Sequence, residues 1–211
     1  MKNKLLAVFV SIIFFQPLMA ENLNIQSSEI FIDKKSSLTI FKGDVVATDY
    51  KNNVFKSEYA EYKKDLKFLT SKGKTTILTS EGYLLTGANI IFDNKTRFIK
   101  SDDKAVIEDL ENNIIYLENF EYSAENNFFK STGKIKIVDS KDNSYNFSQI
   151  YIDEKKREIL GADIKAFLNQ ENFKIHSDNK PRVFANTVKI DNTNNGFTKS
   201  IFTLCNYREN D

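Results

Sequence analysis

Ser148-Gln149-Ile150-Tyr151-Ile152-Asp153 is one copy of a pattern that returns every thirty residues, as in Ala88-Asn89-Ile90-Ile91-Phe92-Asp93 and Glu29-Ile30-Phe31-Ile32-Asp33. Laid out at that period, one column reads Ile30, Ala60, Ile90, Phe120, Ile150, and a second reads Ile32, Tyr62, Phe92, Tyr122, Ile152. A third reads Phe55, Leu85, Ile115, Tyr145, Ile175. Polar columns lie between them: Asp33, Lys63, Asp93, Ser123, Asp153, and Asn52, Gly82, Asn112, Asp142, Asn172. Gly43, Gly73 and Gly133 share a phase with Asp103 and Asp163. A gapless repeat of this size from Ser28 to about His176 implies stacked copies of one supersecondary unit.

Within each copy the apolar positions lie two apart, which is the period of a strand, not of a helix. Three short strands are expected per repeat, at about 54–62, 66–71 and 74–80 in the second copy, parted by Asp33-Lys34-Lys35-Ser36, Lys42-Gly43-Asp44 and Lys51-Asn52-Asn53 turns. No dozen-residue window carries a capped 3.6-residue stripe, so the chain is all-β. The column at 55 and those at 60 and 62 have opposite parity with no turn signal between them. Either a bulge or bend falls near Ser57-Glu58, or the ladders face opposite sides of the sheet.

Working outward, residues 1–20 read as a secretory signal peptide: Lys2 and Lys4, an apolar run from Leu5 to Phe15, and a small residue at Ala20. An uncleaved anchor is the alternative. Export would place the chain where disulfides form. After Gln170 the repeat loosens; the last strand copy, Ala185 to Asp191, comes eight residues late, after an insertion at Ser177 to Pro181. The repeat domain is expected over 21–200, with 201–211 as a tail. Composition is globular, with 41% hydrophobic, 28% charged and 13% aromatic residues, 18 Phe, 9 Tyr, 2 Pro and no Trp. The formal charge is +1 with Lys2 and Lys4 counted and −1 without them, which argues against nucleic acid as the main partner.

Signals for chemistry are few. His176 is the only histidine, no His/Cys group has metal-ligand spacing, and no Gly-rich loop opens a helix, so neither metal nor cofactor is expected. Asp33, Asp93 and Asp153 read as turn formers, and a Ca²⁺ ladder lacks its further oxygen columns. The apolar ladders read either as an ordinary all-β core or as a long trough suited to acyl chains. The candidates for such a trough are Ile30, Ile32, Tyr62, Ile90, Phe92, Phe120, Tyr122, Ile150 and Ile152. Open strand edges at the two ends could pair with neighbouring proteins.

The unit of Ala88-Asn89-Ile90-Ile91-Phe92-Asp93 with Gly43-Asp44-Val45 resembles the OstA-type domain of lipopolysaccharide transport proteins, over about residues 25–205. Pro181-Arg182-Val183-Phe184-Ala185-Asn186-Thr187-Val188 and Phe202-Thr203-Leu204-Cys205 resemble the end of the periplasmic domain in the LptD family. The resemblance implies an antiparallel β-jelly roll with a slightly open, V-shaped groove and no enzymatic activity. Lipid A acyl chains would slide along its interior while the sugar stays outside. Implied partners are lipopolysaccharide, a periplasmic bridge protein of the same fold joined by edge-strand pairing, and an outer-membrane barrel with its lipoprotein partner. Cys205 resembles a cysteine that forms disulfides with the barrel part; here it is the single Cys, and the chain ends at Asp211 without a barrel. A free-standing LptA-type bridge protein is the nearest alternative. A parallel β-helix acting on polysaccharide and an adhesive array stand further off.

Overall fold

The computed structural model describes residues 23–204, apart from 50, 81, 124, 154, 174–180 and 192–194. The expectations for residues 1–20, His176 and Cys205 lie outside the described residues. Strands run as β1 Asn24–Gln26, β2 Glu29–Asp33, β3 Leu38–Thr48, β4 Val54–Lys63, β5 Phe68–Ser71, β6 Lys74–Leu78, β7 Leu84–Ala88, β8 Ile91–Asp93 and β9 Phe98–Ser101. They continue as β10 Ala105–Glu108, β11 Ile114–Leu117, β12 Phe120–Ser123, β13 Phe128–Val138, β14 Ser144–Asp153, β15 Glu158–Phe167, β16 Arg182–Ile190, β17 Asn195–Thr198 and β18 Ile201–Thr203. Among the described residues the one helical element is a 3-10 turn at Gln170–Phe173. The three strands expected in the second copy are β4, β5 and β6.

All pairings are antiparallel, and the chain is an open, V-shaped jelly roll. The long strands each serve two walls. β4 pairs through Ala60–Lys63 with β5 and through Val54–Ser57 with β6. β13 divides likewise, meeting β12 at one end and β11 at the other. Of the two readings open at Ser57-Glu58, the bend is the one observed. Between Lys42 and Val45 the pairing of β3 with β4 slips by one residue, and the same slip recurs between Thr132 and Ile135 of β13. The bulge bends the paired strands, so Phe55 and Ala60 both turn inward despite their opposite parity. Thirty residues is the path once across both walls and back.

Glycine serves the bend where the backbone turns left-handed: Gly73 has φ 77° and Gly133 φ 93°. A side chain on Gly133 would also sit 2.7 Å from the Glu118 carboxylate.

Two rows of turns line the free ends of the walls. In one, Asp33 accepts from the Lys35 amide at 2.9 Å and the Ser36 hydroxyl at 2.8 Å, and Asp93 accepts in the same way from Lys95 and Thr96. In the other, Asp109 takes the Asn113 amide and side chain, and Asp139 takes those of Asn143. The rows are stitched along the stack. Asn53, Asn113 and Asn143 each accept, through Oδ1, a backbone N–H from the next turn, of Ser80, Ser140 and Asn169.

Candidate functional site

Each repeat contributes one layer to the V. In layer two Phe55, Ser57, Ala60, Tyr62, Leu69, Ser71, Thr75 and Ile77 face inward; layer three adds the residues from Leu85 to Ile107, layer four those from Ile115 to Ile137, and layer five those from Tyr145 to Ala166. At the closed apex small hydroxyls replace apolar groups. Ser71, Ser101 and Ser131 are fully buried at thirty-residue spacing. Each hydroxyl donates to a main-chain carbonyl: Ser71 to Ile90 at 3.4 Å, Ser101 to Ala88 at 2.6 Å, Ser131 to Asn119 at 2.6 Å. A short hydroxyl reaches these carbonyls at the bend, and the Ile90 carbonyl also accepts the Ser71 amide at 2.9 Å. This column was readable as a serine repeat, but its role depends on the bend.

Above the apex the walls diverge around a cavity of about 310 Å³. One wall presents Phe55, Ile77, Leu85, Ile107 and Ile115, and the facing wall presents Leu69, Phe92, Ile99, Phe120, Tyr122 and Phe129. Leu23 and Ala47 line the end formed by layer one, and Ile152 the opposite end. The rim is polar: Asp49, Lys51 and Asn53 on one lip, Arg97 and Asn127 on the other. An apolar slot with charged lips suits an amphiphile whose tails are buried and whose headgroup stays wet. Each buried methylene gains about 0.8 kcal/mol, so roughly ten would yield about 8 kcal/mol before the cost of association. No group of three or more His, Cys, Asp or Glu capable of holding a metal occurs among the described residues.

Of the residues singled out by sequence, Phe92, Phe120, Tyr122 and Ile152 lie on the cavity wall. Ile90 and Ile150, each 0% exposed, sit beneath it in the apex, and Tyr62 packs against the core beside it. Ile30 and Ile32 are on β2 at the end of the stack, 52% and 68% exposed. The column at 55, 85 and 115 supplies the second wall, and Ile77 and Ile107 extend it. Sequence reasoning recognised that column as a ladder without assigning it to a wall, because its parity set it apart from the others.

Layer five differs in chemistry. The Tyr145 hydroxyl donates to Asp139 at 3.0 Å, and burial followed by this hydrogen bond pushes its pKa up to about 12. Burial opposes ionisation of Asp139, but the donors from Asn143, Lys141 and Tyr145 outweigh it and hold the carboxyl below its ordinary value. A second hollow, of about 430 Å³, lies over Tyr151, Leu160, Thr187 and Lys189. Those residues alternate with inward-facing Ile150 and Gly161, so this hollow is on the outer face of one wall and not between the two.

No protein-family model matches the chain, and no curated protein matches it. Solved structures do match. One is LptH, the LptA homologous periplasmic component of the conserved lipopolysaccharide transport device from Pseudomonas aeruginosa, which is 15% identical over 66% of this chain and 80% of its own, with a TM-score of 0.29.

Proposed function

We propose that this chain is a non-enzymatic lipid carrier whose trough holds acyl chains, and that its ligand is lipopolysaccharide. The observation that carries the reading is the two-walled apolar cavity with charged lips, continuous from Leu23 to Ile152. The repeat's resemblance to OstA-type domains supplies the ligand. In this reading the chain works in the periplasm beside the outer membrane, with Lys51 and Arg97 facing the anionic headgroup. Similar domains would join by strand addition at β2, whose Ile30, Phe31 and Ile32 are all more than half exposed, and at β18, where Ile201 and Phe202 are as exposed. The Phe202-Thr203-Leu204-Cys205 segment favours the front domain of an LptD-type translocon over a free-standing bridge protein. Sizing the mature protein in membranes separates the two.

A photoreactive residue in place of Phe92 or Tyr122 is expected to capture lipopolysaccharide in cells, whereas one at the exposed turn residue Lys95 is not. Equal capture at Lys95, or none at the wall positions during active transport, would overturn the reading. Phe92→Asp with Tyr122→Asp should stop transport, with folding checked separately because a buried carboxylate also destabilises.

A further inference from the structure

The layers are not equivalent: the apex is small in the two nearer the N-terminus and bulky in the two nearer the C-terminus. The four positions nearest the bend are Ser57, Ala60, Ser71 and Thr75 in layer two, and Gly87, Ile90, Ser101 and Ala105 in layer three. In layer four they become Leu117, Phe120, Ser131 and Ile135, and in layer five Phe147, Ile150, Gly161 and Ile164. Bulk at the floor of the V therefore steps up from layers two and three to layers four and five. In layer five the Phe147 ring reaches across the apex so closely that a Cβ on Gly161 would lie 2.6 Å from it. The cavity ends along this series: it is lined by layers two to four, touches the floor at Phe120, and reaches layer five at Ile152 but not at Tyr145, Phe147 or Ile164. Tyr145, on the wall opposite Ile152, is tied to Asp139, which holds the filled layer in place. At the other end the cavity runs up to Leu23 and Ala47, beside β1 and at the same end of the stack as the exposed strand β2.

Resting on the carrier reading above, we propose that the trough is a blind ramp. Acyl chains enter at the β2 end, lie deepest in layers two and three, are lifted by the floor of layer four, and leave through the mouth because Phe147 and its neighbours close layer five. Passage through the trough then has a built-in polarity, and Gly87 and Phe147 are its depth-setting residues.

The test is labelling of the purified full chain with palmitate carrying a terminal diazirine, followed by peptide mapping. Adducts are expected within 55–107, with less than about a tenth as much within 145–166. Comparable labelling of 145–166 would overturn the ramp while leaving lipid binding intact; no labelling anywhere would remove the carrier reading and the ramp with it. Gly87→Leu, at a position whose added Cβ meets only ordinary contacts, should weaken palmitate binding about tenfold, equivalent to roughly two methylenes left out. Phe147→Ala should extend labelling to 159–166, and unchanged binding in Gly87→Leu or an unchanged map in a folded Phe147→Ala would count against the ramp. The wild-type map stands whether or not either variant folds.

Discussion

Ile30 and Ile150 occupy one column of the repeat, on strands of the same kind, yet Ile30 is 52% exposed and Ile150 is 0% exposed. β14, which carries Ile150, has strands on both sides, β13 and β15; β2, which carries Ile30, has only β3. Burial in a stacked array is a gift of the neighbouring layers and not of the residue. The same contrast extends to Phe31, which lies on the opposite face from Ile30 and is equally exposed, with the Lys42 ammonium 5.0 Å from its ring centre. The interior of the stack is thus where stability resides, and the terminal strand is where apolar surface is kept available.

The largest break in that comparison should come from Ile150→Ala or Phe120→Ala. Each is expected to lower unfolding free energy by about 2–5 kcal/mol in a denaturant titration, while Ile30→Ala changes it by less than about 0.5 kcal/mol. If the interior and terminal positions of the column respond alike, burial by layers is not what separates them. Gly161→Ala comes next. Its new methyl must displace Phe147 and Val188, so a loss of about 1–3 kcal/mol is expected, against almost none for Gly196→Ala, whose nearest neighbour is 3.8 Å away.

Tyr145→Phe probes the anchor of layer five, and about 1 kcal/mol should be lost, since the hydroxyl is only partly shielded. The pH signs follow from the shifts. Tyr145 has its pKa raised from 10.0 to about 12, so its contribution is full below pH 10 and fades between there and pH 12; Tyr145→Phe should flatten that alkaline decline. Asp139 is lowered from its ordinary 3.8, so its contribution is present above that pH and is lost as pH falls through the folded value; Asp139→Asn should flatten the acid side. The smallest effect is expected from Ile32→Lys. Stability should stay within about 0.5 kcal/mol, but association through β2 should weaken, as a charge on an open edge strand discourages strand addition.

Much of the architecture was legible because it repeats. Period-two alternation marked the strands, and the Asp33, Asp93 and Asp153 column marked turns that the carboxylates do form, by accepting the amides of Lys35, Lys95 and Lys156. The last position of these turns left no such mark. Ser37, Lys67, Arg97, Asn127 and Arg157 all adopt positive φ near 50–60° at thirty-residue spacing, and none is glycine. The stack imposes that conformation through turn-to-turn hydrogen bonds such as the Lys64 amide to the Ser37 carbonyl and the Asn94 amide to the Lys67 carbonyl. Residue type alone carries little trace of a conformation that tertiary contacts enforce.

By itself the sequence determined that the protein is all-β, that it is built of thirty-residue units, and which residues are apolar ladders. Those follow from local chemistry: alternation, turn residues and their period. Only the tertiary structure decided which ladder became wall, which became floor and which stayed outside. A bulge between Lys42 and Val45 lets Phe55 and Ala60 of the partner strand, of opposite parity, both face inward, and the presence or absence of one more strand decides whether an isoleucine is buried. Both are properties of strand pairing, and no single stretch of the chain contains them.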